Sequence, residues 1–257
     1  MHLEQVVRME RLSGDVIRMV LASQRIAESA MPGQFLNMRC GDSFRAYLRR
    51  PISICDIHKV DGTVDIVFQV RGAGTELLGR TRPGEAVDVM GPLGNPFKPV
   101  PPGGSMVAVG GGIGSFPLLY LLRTMPEVRR TALLGFRNLA SVVLEDGFTA
   151  LSEQLEIATD DGSYGQAGFV TGLLERRLER EIPDCVYACG PLQMMKAVVA
   201  ACLARNIPVQ VSMEQRMGCG VGACLVCACK KREGDDFTYT HVCRDGPVFN
   251  GRDIEFD

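Results

Sequence analysis

The stretch Ser105-Met106-Val107-Ala108-Val109-Gly110-Gly111-Gly112-Ile113-Gly114-Ser115-Phe116-Pro117-Leu118-Leu119-Tyr120-Leu121-Leu122 decides the fold. No charge occurs between Lys98 and Arg123, and the run from Gly104 to Leu122 meets the length of ~18 apolar residues expected of a membrane-spanning helix. Its punctuation rejects that reading. Pro101-Pro102-Gly103-Gly104 opens it and five residues with four glycines, Gly110 to Gly114, divide it. A buried strand over 106–109, a glycine turn and a buried helix from Phe116 to Arg123 explain the run better. Strand, glycine turn and helix in that order begin a parallel α/β sheet.

Downstream the pattern repeats. Ala132 to Phe136, Leu155 to Ala158 and Cys185 to Cys189 read as buried strands, and Thr171 to Arg180 and Gln193 to Arg205 as helices. This alternation predicts a doubly wound parallel sheet. Upstream the period changes to two. Gln5 to Met9 and Val16 to Leu21, joined through Ser13-Gly14-Asp15, predict a hairpin. Phe35 to Met38, Ile52 to Ile54, Val64 to Val70 and Ala86 to Met90 add four more short strands between turn residues. Six such strands predict a small antiparallel barrel. The expected fold class is thus α+β multidomain, with a barrel over 1–98, an α/β domain over 99–210 and a cysteine-rich module over 211–257.

Composition narrows the function. The 257 residues carry 28 Lys+Arg and 30 Asp+Glu, for a formal net charge of −2. That balance, with the basic residues scattered, lacks the basic stripe of a nucleic-acid binder. The N-terminal residues mix charges of both signs and contain no apolar h-region, so no signal peptide is expected and the chain reads as cytoplasmic. Half of the ten cysteines fall after position 218. In a cytosolic chain such clustering points to metal binding or redox chemistry rather than disulfides.

Cys219, Cys224 and Cys227 follow the spacing C-x4-C-x2-C, and Cys243 lies sixteen positions further on. This is the spacing of a plant-type [2Fe–2S] site, with three thiolates in one loop and a distant fourth. Gly218, Gly220 and Gly222 suit a loop that must wrap closely around a cluster. A structural four-cysteine zinc site is the competing reading, although only Cys224 and Cys227 form the short knuckle that zinc sites usually pair. Cys229 is an extra thiol nearby. His241 reads as a neighbour rather than a ligand, because a Rieske-type site needs two histidines.

Five other motifs suit nucleotides. Arg50-Pro51-Ile52-Ser53 opens a barrel strand, where an arginine and a hydroxyl suit a pyrophosphate. Gly72-Ala73-Gly74-Thr75 offers amides at the start of a helix. Gly110 to Gly114 has the strand-to-helix context of a dinucleotide-binding turn without its exact glycine spacing, and a tight packing turn is the alternative. Thr159-Asp160-Asp161-Gly162-Ser163 and Cys189-Gly190-Pro191 close later strands, where a ligand crevice opens in such sheets.

These motifs, in this order, resemble the ferredoxin-reductase superfamily and, within it, the electron-transfer subunits of dihydroorotate dehydrogenase B. The resemblance covers nearly the whole chain. Pro32-Gly33-Gln34-Phe35, Arg50 to Ser53, Gly74-Thr75 and Gly91-Pro92-Leu93-Gly94 carry it in the barrel. Gly110 to Gly114, the 159–165 loop, Ala188 to Pro191, Met213-Glu214 and Cys243-Arg244-Asp245-Gly246-Pro247-Val248-Phe249 carry it onward. It implies FAD on Arg50, Pro51, Ile52, Ser53, Val67, Phe68, Gln69, Gly74 and Thr75, with Arg50 on the pyrophosphate. It implies NAD on Gly111, Gly112, Asp161, Gly162, Cys189 and Gly190, and [2Fe–2S] on Cys219, Cys224, Cys227 and Cys243. No acid–base catalytic residue is implied.

The implied partner is an FMN-containing subunit that oxidises dihydroorotate in pyrimidine (UMP) biosynthesis, in a heterotetramer of two of each chain. The partner would meet an apolar or mixed patch around residues 217–227. Gln69 departs from the pattern, since a basic residue is expected there, and Arg137 is the one candidate clamp for an NADP phosphate. The alternatives are an NAD(P)H reductase subunit of a hydrogenase or of a transhydrogenating ferredoxin reductase. A non-enzymatic reading, a redox sensor or zinc-stabilised binding module, predicts no flavin absorbance.

Overall fold

A computed structural model describes residues 2–41, 46–234 and 236–256. Residues 1 and 257, which end the first and last expected units, lie outside the described residues.

The first six strands are β1 (His2–Arg11), β2 (Val16–Ala22), β3 (Phe35–Met38), β4 (Arg50–His58), β5 (Thr63–Gln69) and β6 (Ala86–Leu93). They close into an antiparallel barrel in the order β1-β2-β5-β4-β3-β6. Alternation drives the closure, because every second side chain must leave water. Val6, Met19, Leu21, Leu36, Met38, Ile54, Ile66, Phe68 and Val89 fill one interior. Two short helices, α1 (Gln24–Ser29) and α2 (Ala73–Leu78), join strands of the barrel. Ser23 caps α1 by accepting from Ile26 N–H, which satisfies a donor that the first turn leaves open.

The second layer begins with β7 (Ser105–Gly111), a single 3-10 turn over Gly112–Ser115 and α3 (Phe116–Arg123). It continues through β8 (Arg129–Phe136), α4 (Glu145–Leu151), β9 (Gln154–Thr159), β10 (Gln166–Ala167) and α5 (Val170–Arg180). It ends with β11 (Cys185–Cys189), α6 (Leu192–Leu203) and β12 (Val209–Ser212). After the hairpin of β13 (Ala228–Glu233) and β14 (Asp236–His241), the chain returns as β15 (Val248–Asn250). The sheet order is β10-β9-β8-β7-β11-β12-β15, parallel except for β15, which runs antiparallel to β12.

The sheet is covered on both faces. Residues of α5 and α6 share one core with Val107, Val109 and Val186, and residues of α3 and α4 share another with Met106, Ala108 and Tyr187. The sheet is therefore doubly wound, as its strand–helix alternation predicts. The hydrophobic run that tests as a membrane span is β7, the turn and α3, all seven β7 residues being buried. Among the described residues, no helix is long and apolar enough to cross a membrane.

Two features connect the layers. Helix α3 lies against β4, where Arg123 donates from Nε and Nη2 to the two oxygens of Asp56 at 2.7 and 2.6 Å. Tyr120 donates its hydroxyl proton to the Ala30 carbonyl at 2.9 Å. The expected 210/211 boundary falls inside β12, and β15 ties the chain beyond the cysteine loop back into the parallel sheet.

Candidate functional site

The cysteine loop is organised by amides that point at sulfur. Val221, Ala223 and Cys224 N–H groups donate to Cys219 Sγ at 3.4, 3.2 and 3.4 Å, and Cys219 N–H donates to Cys224 Sγ at 3.4 Å. Gly222 N–H reaches Cys243 Sγ at 3.1 Å, and Cys243 N–H reaches Cys227 Sγ at 3.4 Å. Cys227 precedes β13 and Cys243 follows β14, and Val242 N–H bonds the Cys227 carbonyl. The hairpin thus brings the distant fourth thiol beside the third. The bonds fall into two pairs, Cys219 with Cys224 and Cys227 with Cys243.

Among the described residues no three His, Cys, Asp or Glu side chains converge on a single ion. The amide contacts that link the four thiols in pairs suit a two-iron cluster, whose iron atoms each take two thiolates and whose charge needs N–H donors. The amide of Val221 leads in pulling the Cys219 thiol down to about 6, so its thiolate forms near neutral pH. Burial, with the Cys227 contact adding to it, pushes Cys243 the other way. The second pair sits in the hydrophobic core and the first faces outward, with Cys224 exposed. Leu225 adopts φ 62°, a left-handed backbone costing ~1–2 kcal/mol for a side chain of this kind. Val221, Leu225 and Val226 are exposed around it. This is the apolar patch expected near 217–227.

The barrel motifs, twenty residues apart in sequence, meet. A Cβ on Gly74 would stand 2.7 Å from Arg50 Nε, so the Arg50 guanidinium rests against the first turn of α2. The first backbone bond of that helix runs from Glu76 N–H to the Gly72 carbonyl. Amides 73–75 lie before it at the open end. Guanidinium and open amides together fit a phosphate group. The Thr75 hydroxyl accepts from Arg71 and Gly72 N–H groups and donates to the Gly72 carbonyl. It closes its own turn, so only the Thr75 backbone stays open to a ligand.

Pro51 and Ser53 pair with Asn37 and Phe35 across β3 and β4, while Ile52 packs on the barrel core. Val67 is buried in the core shared with α3 and Phe68 points into the barrel. Gln69 accepts from Arg71 Nε at 2.6 Å and donates to Asp15 at 2.5 Å. Position 69 thus carries no basic group of its own, and the Arg71 guanidinium lies beside it. Arg49, the neighbour of Arg50, pairs instead with Asp88.

Strand β5 also touches the glycine turn that follows β7, which sets the barrel motifs beside the second site. There the sheet order reverses: β8 and β9 lie to one side of β7, and β11 and β12 to the other. This topological switch point is where open α/β sheets bind ligands. The two strand ends are pressed together backbone to backbone. A Cβ on Gly114 would come within 2.5 Å of Gly190 Cα, and one on Gly111 within 2.6 Å of Met194 Sδ. The packing role of these glycines is thus real; Gly111 is buried by it, while Gly112 and Gly190 stay partly exposed.

Two strands away, Asp161 accepts from Ser163 N–H at 2.9 Å and from its hydroxyl at 2.6 Å. The Ser163 side chain leads in holding the Asp161 carboxyl below its usual range. Asp161 N–H bonds the Arg137 carbonyl, so the acidic loop and Arg137 are neighbours. Cys189 is sealed in the core, and burial pushes its thiol up to about 12. Among the described residues, no cysteine is in a disulfide.

Sequence reasoning missed Asn37, whose Nδ2 donates to the Cys219 carbonyl at 3.4 Å. It also missed Asp245, which bonds Thr240, the His241 N–H and Arg244 and so shapes the turn after Cys243. No local pattern marks Asn37. Asp245 lies inside a motif quoted for the resemblance, two positions after the candidate ligand Cys243.

Comparison with known proteins places this geometry. Residues 214–255, which hold all four cysteines, match the family described as the iron-sulfur cluster binding domain of dihydroorotate dehydrogenase B. The chain is 42% identical over 241 residues to the dihydroorotate dehydrogenase B (NAD(+)) electron transfer subunit of Bacillus caldolyticus, covering 92% of this chain and 91% of that protein. The chain belongs to that family. The subunit of the same name from Desulforamulus reducens is 40% identical over 226 residues, covering 87% and 86% of the two chains.

Among solved structures, an NADH-dependent reduced ferredoxin-NADP oxidoreductase studied for flavin-based electron bifurcation superposes with a TM-score of 0.87 at 30% identity. It covers 100% of this chain and 91% of that one. An Amycolatopsis cytochrome P450 reductase shares the fold alone, with a TM-score of 0.67 at 23% identity over 80% and 66% of the two chains. Family membership thus joins the barrel, the parallel sheet and the cysteine module in one reductase architecture.

Proposed function

We propose that this chain carries electrons between a dihydroorotate-oxidising partner subunit and NAD in pyrimidine biosynthesis. The observation that carries the reading is the amide-ringed cysteine quartet, placed after a barrel and a parallel sheet whose motifs meet at a switch point. FAD would lie on Arg50, Pro51, Ile52, Ser53, the backbones of Val67, Phe68 and Gln69, Gly74 and the Thr75 backbone. NAD would lie on Gly111, Gly112, Asp161, Gly162, the Cys189 backbone and Gly190, and [2Fe–2S] on Cys219, Cys224, Cys227 and Cys243. The three sites fall to units 1–98, 99–210 and 211–257.

Bound flavin and cluster supply hydride exchange and single-electron passage, so that dihydroorotate gives up two electrons and two protons, NAD⁺ gains a hydride and one proton is released. The chain's own residues bind and orient. Arg50 and the open amides of α2 hold phosphate charge, the glycines bare backbone to the dinucleotide, and the sulfur-directed amides hold thiolate charge. None of them needs to move a proton. The neighbouring Asp160 and Asp161 favour a ribose hydroxyl over a phosphate at the far end of the dinucleotide, which supports NAD over NADP.

The partner is an FMN-containing catalytic subunit, two of each chain forming the complex. The exposed Val221, Leu225 and Val226 beside Cys224 suit burial against it. Ten unpaired cysteines support a cytoplasmic setting. In the assembled complex, dihydroorotate and NAD⁺ are expected to give orotate and NADH in equal amounts. Cys224→Ser in that complex should stop NADH formation while the partner still reduces a dye with dihydroorotate. Full NADH formation by the variant would end the relay reading.

The likeness over the whole chain to a ferredoxin-NADP oxidoreductase supports a second reading, a reductase subunit serving another partner. The second chain that co-purifies from the source cell separates the two: an FMN protein active on dihydroorotate, or one of different chemistry.

A further inference from the structure

Asn37 is a polar side chain in a costly position. It lies on β3 and is 1% exposed, between Leu36 and Met38, which point into the barrel core. Its own side chain takes the opposite face, the face of Pro51 and Ser53, because Asn37 pairs with Pro51 and Phe35 with Ser53. The cysteine loop descends on that face. Asn37 Nδ2 donates to the Cys219 carbonyl across 182 positions of sequence. Gly220 follows at φ +77°, and a Cβ there would overlap Asn37 Nδ2, so the bare backbone at 220 is what lets the loop reach the barrel.

The strand under the contact is held still. Arg49 Nη1 donates to the Asn37 carbonyl at 3.3 Å and to the Asp88 carbonyl at 2.9 Å. Asn37 Oδ1, by contrast, is buried without a hydrogen-bond partner. An apolar side chain of the same size would avoid that penalty. Packing alone therefore does not account for an asparagine here, and its one directed bond is to the backbone of the first cluster cysteine.

We propose that Asn37 is a positioning residue that pins the Cys219 carbonyl, and with it the first cluster thiolate, against the Pro51–Ser53 strand. It thereby fixes the gap between flavin and cluster. The inference rests on the flavin and cluster assignments given above. The pin acts on that gap and leaves the encounter of NADH with the flavin untouched, since no residue of the glycine turn or of the 159–165 loop contacts it through a hydrogen bond.

The test uses the full chain loaded anaerobically with FAD and cluster, as wild type and Asn37→Leu. NADH reduction is followed by stopped flow at flavin and cluster wavelengths, and hydrogen exchange is read over residues 218–224. The variant should keep its FAD and iron and reduce its flavin at the wild-type rate. Its cluster phase should slow about tenfold, the population change produced by losing one bond that docks the loop. Exchange over 218–224 should rise while that of β3 and β4 stays level. An unchanged cluster phase with unchanged exchange overturns the proposal, as does an equal slowing of both phases, which would mark Asn37 as a residue of the barrel core only. Asn37→Ser, smaller and still polar, carries the same readouts if the leucine variant does not fold. If the wild type itself passes no electrons from NADH to the cluster, the functional reading falls and exchange alone decides. Faster exchange confined to 218–224 then upholds the pin, and unchanged exchange removes it.

Discussion

The glycine turn at 110–114 and the cysteine loop at 217–226 are both tight, glycine-bearing and placed at a candidate ligand site, yet they are built on opposite principles. The turn is held by the protein. Its glycines press on Gly190, Pro191 and Met194, and the strands on either side are buried. The loop is held by sulfur. Its internal bonds run from amides to the Cys219 and Cys224 thiols, and a further amide reaches Cys243. Its apolar side chains face outward, and Leu225 sits in the left-handed region. A site closed by packing is formed before its ligand arrives. A site closed by bonds to thiolates gains much of its order from the group those thiolates bind.

Breaking the loop should therefore erase function and spare the fold. Cys224→Ser is expected to cut NAD-linked orotate formation by at least about a hundredfold, since replacing even groups behind a metal ligand costs 10–100-fold. The melting temperature of the barrel and sheet should stay within a few degrees, read by circular dichroism beside the orotate assay. Arg50→Ala attacks a site of intermediate character. Removing a charged donor worth about 1.5–3 kcal/mol should weaken FAD retention roughly tenfold to a hundredfold, measured by flavin fluorescence on dilution.

Breaking the turn should do the reverse. Gly114→Ala forces a methyl group onto the Gly190 backbone and should cost ~1–3 kcal/mol of stability with or without cofactors, measured by urea unfolding of the apo chain. An apo variant as stable as wild type would dissolve the contrast between the two regions. Alkaline titration sharpens it. Burial raises the Cys189 and Cys202 thiols from their ordinary 9.0 to about 12. Their contribution is complete below pH 9, where they are thiols in both states. Above it the unfolded thiols ionise first, so stability should fall between pH 9 and 12 by at most ~1.4 kcal/mol per pH unit for each thiol. Alkylation of the apo chain at pH 8 should label Cys224 and leave Cys189 and Cys202 unmodified. The smallest effect is expected from Asp161→Asn, which should narrow the preference for NADH over NADPH a few-fold in kcat/KM.

Legibility in the sequence followed the range of the interactions. The barrel strands near 16–21, 35–38 and 64–70 show their period of two locally, and α3 and β11 fall on their expected bounds. The helices α1, α2 and α4 have six or seven residues, too few turns for a 3.6-residue period to rise above chance. β13 is charged and lacks the apolar alternation that reveals a strand, whereas Phe237 and Tyr239 do alternate with threonines in β14, a short period of two that sequence reasoning missed. β15 pairs antiparallel at the edge of a parallel sheet, which the strand–helix rhythm does not foretell.

The candidate site divides the same way. The spacing of the four candidate cluster cysteines is legible in the sequence, three in one short motif and the fourth sixteen positions on. The meeting of Arg50 with Gly74 and of Asn37 with Cys219 depends on strand order in a closed barrel, and no spacing records it. The bond from the Arg71 guanidinium to Gln69 likewise becomes visible only in the fold.

The most direct measurement is an anaerobic reduction of the purified, cofactor-loaded chain by NADH, followed by visible absorbance and by electron paramagnetic resonance. Bleaching of the flavin followed by a reduced two-iron signal approaching one spin per chain is the expected result. A flavin that bleaches with no cluster signal, or a cysteine quartet that takes up zinc and no iron after anaerobic reconstitution, would contradict the relay.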